Sequence, residues 1–366
     1  MATCKLLPYV CPKWAQQLHH VPKYQIKLAN PGTPIHKWSL PGVPSKFEVS
    51  IKRDDMTGST LSGNKVRKLE FLMADAVARK CGHVITCGGV QSNHCRATAV
   101  AARQLHLHPH LLLRTDTQDP AEIGVEGNLF LDRLCSAEIY VVPKKCPYET
   151  ELKPRMEKLA NILKEKTGED VYLVPVGGSN SVGLFGYITV FEEMISQGLF
   201  DQFDDVVFAC GSGGTAAGLA ISNHLTGSHI KCHAIIVCDD KAYFTDHINQ
   251  TLCDVGLDTV HCQDILDIIE GHKGRGYGLS TEDELEFIMK VSQQTGIMLD
   301  PVYSGKAARG LVEELCNNPD RFQGNRILFI HTGGVFGMYD GRLNSVVKAE
   351  TKGLVRKWPT LNSFPD

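Results

Sequence analysis

The chain reads as an α/β protein of two domains, with parallel sheets covered by helices on both faces. Three observations predict this. Short apolar strand-like runs alternate with runs of helical periodicity along most of the sequence. Four Gly-rich turns stand where strands would give way to helices: Gly88-Gly89-Val90-Gln91-Ser92-Asn93, Gly177-Gly178-Ser179-Asn180, Gly211-Ser212-Gly213-Gly214-Thr215 and Thr332-Gly333-Gly334-Val335. At 366 residues the chain also exceeds one ordinary domain.

Taken in order, residues 1–45 form a Pro-rich, aromatic-dotted arm, followed by alternation typical of a strand over residues 47–53. Apolar spacing at Val66, Leu69, Leu72-Met73 and Ala76-Val77 predicts a helix, with Ser62 or Asn64 as its cap. Strands are expected at 83–87, 110–114, 138–142, 171–176, 205–209, 233–237 and 326–330. Helices are expected at 93–105, 128–135, 148–167, from the Gly177 turn through 198, and at 215–225, 265–269, 281–295 and 306–316. The Thr281-to-Glu284 spacing marks one of these starts clearly. No internal repeat or low-complexity segment interrupts the pattern.

Composition narrows the function classes. With 43% hydrophobic and 22% charged residues, a large core is feasible. A net charge of -3 argues against nucleic acid or a membrane surface as partner, and no apolar run approaches the length of a membrane span. Thirteen cysteines without a C-x-x-C pair read as buried thiols of a reduced compartment. Before Glu48 there is no acidic residue, but Arg is absent too, so a cytoplasmic enzyme is expected, with a mitochondrial form as the alternative. The fifteen histidines form no convincing metal set, and His94 and His331 read as structural.

The chemistry centres on Lys65, at or near the first turn of the helix capped by Ser62 or Asn64. The positive end of a helix dipole and the neighbouring Arg67 and Lys68 all disfavour a cation there, which makes a neutral, nucleophilic amine. The turn Gly211, Ser212, Gly213, Gly214, Thr215 offers backbone N–H groups, hydroxyls and a helix start, as a phosphate requires. A dinucleotide site competes for that turn, with Gly211-x-Gly213-x-x-Ala216 and Asp239 on the next strand, and would make the chain an NAD(P)-dependent oxidoreductase. That reading leaves Lys65 and the Gln91-Ser92-Asn93 turn without a role.

Ser62-Gly63-Asn64-Lys65-Val66-Arg67-Lys68-Leu69-Glu70, Cys87-Gly88-Gly89-Val90-Gln91-Ser92-Asn93-His94 and Asp300-Pro301-Val302-Tyr303-Ser304-Gly305-Lys306, with Tyr277-Gly278 and Thr332-Gly333, carry a resemblance. They resemble the D-cysteine desulfhydrase and 1-aminocyclopropane-1-carboxylate deaminase family of fold-type-II, tryptophan synthase β-like pyridoxal-phosphate enzymes. The resemblance implies pyridoxal 5'-phosphate as cofactor, held by Lys65 as a Schiff base. It implies that Asn93 bonds the ring hydroxyl, that the Gly211–Thr215 loop holds the phosphate, and that Ser92, Tyr277 and Tyr303 face an amino-acid substrate. It further implies a homodimer, and a cofactor domain of residues 1–67 plus 181–366 with a smaller α/β domain inserted at 68–180.

Two positions discriminate within that family. Its ring-opening deaminases are expected to carry Glu after the tyrosine of Asp-Pro-Val-Tyr and an apolar residue before Gly-Gly, where this chain has Ser304 and Thr332. A hydroxyl such as Thr332 beside the pyridine nitrogen leaves a shallower electron sink, which suffices when the β-carbon carries a good leaving group. The expectation is therefore a β-eliminating lyase that gives pyruvate, ammonia and hydrogen sulfide from cysteine, and the resemblance implies the D-enantiomer. The deaminase is the alternative.

Overall fold

The computed structural model describes residues 5–117 and 119–358. The arm contains one small antiparallel pair, β1 (Leu7–Pro8) with β2 (Tyr24–Gln25). It is held by packing: Cys11, Ala15 and Leu18 enter the core that contains Phe185, Tyr187 and Phe191. β3 (Ile35–Lys37) then pairs antiparallel with β4 (Glu48–Lys52). α1 (Asn64–Ala78) leads into β5 (Cys81–Gly89), α2 (Asn93–Gln104), β6 (His108–Thr115), α3 (Gly127–Leu134), β7 (Glu138–Pro143), α4 (Lys153–Thr167) and β8 (Asp170–Leu173). After them come α5 (Phe185–Ser196), α6 (Leu199–Gln202), β9 (Asp205–Cys210), α7 (Gly214–Leu225), β10 (Lys231–Ile236) and α8 (Lys241–Asp254). α9 (Cys262–Ile265), β11 (Asp267–Ile269), α10 (Glu282–Thr295), α11 (Ser304–Asn317), β12 (Arg326–Ile330) and α12 (Asn344–Glu350) complete the order.

Apart from the β1–β2 pair, the strands sort into two sheets. β7-β6-β5-β8 is parallel throughout, and β11-β10-β9-β12-β4-β3 is parallel except at its β3 edge. The first sheet thus falls, in sequence, between β4 and β9 of the second. Both faces of each sheet are covered, and side-chain alternation shows it. Val206, Phe208 and Cys210 of β9 enter one core while Val207 and Ala209 enter another. In the smaller sheet Leu112 packs on one side, and Leu111 and Leu113 on the other. Each fully buried Val, Leu or Phe side chain of this kind contributes about 1.5–3 kcal/mol.

Several segments differ from the expectations of the sequence, which also did not anticipate β3, α6 or α12. The helix expected at 265–269 does not form: Cys262–Ile265 makes a single turn that ends there, and Asp267–Ile269 is an edge strand parallel to β10. A run this short carries no usable period, and the free sheet edge decides its state. Tyr148–Leu152 forms a wider π-type turn, and α4 starts only at Lys153, with Pro154 in its first turn. α8, which has no strong apolar stripe, is capped by Asp240 accepting from the Tyr243 amide. The Thr281–Glu284 capping box forms as expected, with both reciprocal hydrogen bonds present. Among the described residues no helix is long and apolar enough to cross a membrane.

Candidate active site

α1 begins differently from the expectation. Its N-cap is Gly63, at φ 84°, where neither Ser62 nor Asn64 caps. A Cβ on Gly63 would lie 2.7 Å from the Thr332 carbonyl oxygen, so only glycine fits. The Asn64 amide donates to that same oxygen at 2.9 Å, and the Asn64 side chain donates to Thr215 Oγ1 at 3.0 Å. The helix start is therefore bonded both to the Thr332 turn and to α7.

Lys65 extends from this turn into a cavity of about 990 Å³ lined by turns from both sheets. Its Nζ lies 3.4 Å from the Gly177 carbonyl oxygen, and burial pulls its pKa down to about 8, against a small opposing effect of the Cys210, Cys238 and Cys95 thiols. Burial is thus the leading cause, and neither Arg67 nor Lys68 contributes to it. Arg67 points away, into ion pairs with Asp54 at 3.1 Å and Glu193 at 3.0 Å.

Lys68 was not singled out by the sequence, yet its Nζ donates to Gly177 O and Ser179 Oγ, both at 3.2 Å. Burial, and then Lys65, hold its pKa well below the usual lysine range. It faces the Gly-rich turn after β9. There a Cβ on Gly214 would sit 2.6 Å from Ser179 Oγ and 2.8 Å from Lys68 Nζ, and one on Gly213 would sit 2.3 Å from the His247 ring. These absent side chains leave a cradle at the α7 N-terminus, bounded by an amine and the hydrogen-bonded pair Ser179 and Ser212 (2.9 Å). Its donors suit a phosphate.

On the opposite wall, Ser92 caps α2 by accepting from the Cys95 amide at 3.2 Å, and it also lines the cavity. Asn93 accepts from Asn128 Nδ2 at 3.0 Å through its carbonyl oxygen, which leaves its NH₂ as the free donor. Asn128 is itself fixed by Gln91 and by the buried Arg96. Tyr277 and Tyr303 share a hydroxyl–hydroxyl hydrogen bond of 2.8 Å at the cavity wall. Burial, and then Tyr277, raise the Tyr303 pKa well above that of a free phenol.

Thr332 lines the same cavity beside Asn64 and Lys65. Ser304 does not: its hydroxyl donates to Asp300 Oδ1 at 2.6 Å at the start of α11. Of the predicted positions, Lys65, Ser92, Asn93, Gly211, Ser212, Gly213, Thr215, Tyr277, Tyr303 and Thr332 come together, while Gly214 lies just behind as the first residue of α7. His331 is structural, bonded to Met298 O and to the Gly333 amide. His94, bonded to Thr86 at 2.8 Å, reaches the cavity wall.

Pyridoxal phosphate fits these residues: a buried amine of lowered pKa for its aldehyde, a cradle with an amine for its phosphate, and the Asn93 NH₂ for its ring oxygen. The model of a family described as "Pyridoxal-phosphate dependent enzyme" matches residues 26–333. Over 344 residues the chain is 48% identical to the bifunctional D-cysteine desulfhydrase/1-aminocyclopropane-1-carboxylate deaminase, mitochondrial, of Arabidopsis thaliana, covering 91% of this chain and 84% of the relative. It is 35% identical to the D-cysteine desulfhydrase of Serratia proteamaculans, covering 88% and 97%. The crystal structure of an ACC deaminase homologue superposes with a TM-score of 0.78 at 34% identity, covering 92% of this chain and all of that one. The architecture is fold type II, and the turn claimed by the dinucleotide alternative faces the two buried lysines. The chain belongs to the pyridoxal-phosphate dependent enzymes.

Proposed function

We propose that the protein is a carbon–sulfur lyase that converts D-cysteine and water to pyruvate, ammonia and hydrogen sulfide. The observation that carries this reading is the pairing of a buried amine at pKa about 8 with Thr332, and not a carboxylate, beside the start of its helix. When bound, pyridoxal phosphate supplies a sink for the electrons left at the substrate's α-carbon. Lys68, Thr215 and the Gly-rich turn would hold its phosphate. The Asn93 NH₂ would bond its ring hydroxyl, and Thr332 would meet its ring nitrogen without keeping it protonated as a carboxylate would. Lys65, uncharged above its lowered pKa, accepts the α-proton. Ser92 bonds the substrate carboxylate, and the Tyr277–Tyr303 pair passes a proton to the departing sulfur.

The names of the relatives support this chemistry and also favour a second reading, ring opening of 1-aminocyclopropane-1-carboxylate. Thr332 weighs against that one, because an unactivated ring requires a deeper sink. Ser304, turned onto Asp300, leaves the argument to Thr332 alone. The proposal includes the division into residues 1–67 plus 181–366 and 68–180, a homodimer and a cytoplasmic location. Sulfide and pyruvate should appear from D-cysteine much faster than from L-cysteine. Turnover of the cyclopropane acid without turnover of D-cysteine would overturn the assignment.

A further inference from the structure

Tyr277 is carried into the cavity by the segment 270–280, in which no residue is buried. Gly271, Gly274, Gly276 and Gly278 all have positive φ, between 56° and 124°. Neither apolar packing nor a restrictive backbone holds this segment, yet it places the Tyr277 hydroxyl 2.8 Å from that of Tyr303. Its order therefore comes from polar ties.

The tie that brackets Tyr277 is Lys306 of α11. This lysine is 2% exposed, and its Nζ donates to three backbone carbonyls: Lys273 O at 2.6 Å, Gly276 O at 3.0 Å and Leu279 O at 2.8 Å. An ammonium has three donors, and each is used. Two of the acceptors also open successive turns, Lys273 O bonding the Gly276 amide at 3.1 Å and Gly276 O the Leu279 amide at 3.2 Å. The nearest carboxylate oxygen, Glu284 Oε1, stands off at 3.9 Å, and Glu284 is occupied in the α10 capping box. The other ties act toward the ends of the segment. The His272 ring sits between Glu313 and Glu314, Lys273 Nζ donates to Asp239 O, and Ser280 to Pro301 O.

We propose that Lys306 is a positioning residue: its tethered ammonium fills a cage of backbone carbonyls, fixes the turns at 273–279, and so holds Tyr277 against Tyr303 in the substrate cleft. The consequence for turnover rests on the lyase reading above; the cage itself does not. Carbonyl oxygens respond to charge and size and not to the lysine stem, so a free cation of the ammonium group's size should replace it once the stem is removed, and the smaller sodium ion should not.

The test compares the parent holoenzyme with Lys306→Ala and Lys306→Met in ammonium chloride and in sodium chloride at equal ionic strength. Amide hydrogen exchange at 273–279 and the kinetic constants for D-cysteine are the readouts. Both variants should lose protection at 273–279 in sodium chloride and raise KM about tenfold, with a smaller change in kcat. Ammonium should restore protection and KM in Lys306→Ala, where it can enter, and not in Lys306→Met, whose uncharged stem fills the space. The parent should respond equally to both salts. Unchanged protection in both variants, or equal behaviour of Lys306→Ala in the two salts, would overturn the proposal. A parent that makes no sulfide would instead count against the lyase reading, and exchange alone would then decide the cage.

Discussion

A lysine enclosed by thiols and a peptide carbonyl does not hold its proton as a solvated lysine does. Lys65 shows the result, with its pKa brought by burial to about 8 from the ordinary 10.5. Since the folded value is the lower one, burying this amine costs stability below about pH 8, and the cost vanishes as pH rises past 10.5. The neutral amine is the nucleophile, so uptake of pyridoxal phosphate by the apo-protein should accelerate through a midpoint near pH 8. Stopped-flow absorbance across pH measures this, and a midpoint near 10.5 would contradict the assignment. The sequence located this residue but not the reason for its chemistry, because burial is a property of the assembled cleft and not of the neighbours at 67 and 68.

At the scale of elements, α1 presents different surfaces to different partners. Val66, Leu69 and Met73 pack into the apolar core beneath β5, Lys65 enters the cavity, and Arg67 enters a buried ionic network. In that network Arg67 meets Asp54 and Glu193, Lys52 meets Glu193 at 2.5 Å, and Tyr187 donates to Asp54 at 3.1 Å. Arg67→Met removes the ion-pair partner of the fully buried Asp54 carboxylate, leaving it the Tyr187 and Thr33 hydroxyls, and should cost about 3–5 kcal/mol, read as a lower denaturant midpoint. The pH midpoint for cofactor uptake should not move, because Arg67 is not what depresses Lys65; an upward shift would restore the basic-neighbour explanation. The apolar period made α1 legible, and the unbroken apolar runs of β9 and β12 made those strands legible. The cap at Gly63, the edge strand β11 and helix α8 were not, since each is fixed by a contact distant in sequence or by a pattern too short or too weak to read.

At the scale of the molecule, two parallel sheets direct the C-terminal ends of their strands and the turns that follow at one cavity. The Gly-rich turns announced this in the sequence, and their order gave the family. What stayed hidden was side-chain direction: Lys68 reaching Ser179, Ser304 turning onto Asp300, Asn128 fixing Asn93. Two buried amines now stand near the same carbonyl oxygen of Gly177, and the account assigns the cofactor's aldehyde to one and its phosphate to the other. Borohydride reduction of the cofactor-loaded protein, followed by peptide mapping, separates them in one measurement. The account predicts a reduced pyridoxyl group on Lys65 alone; the group on Lys68, or its retention in Lys65→Ala, would contradict it.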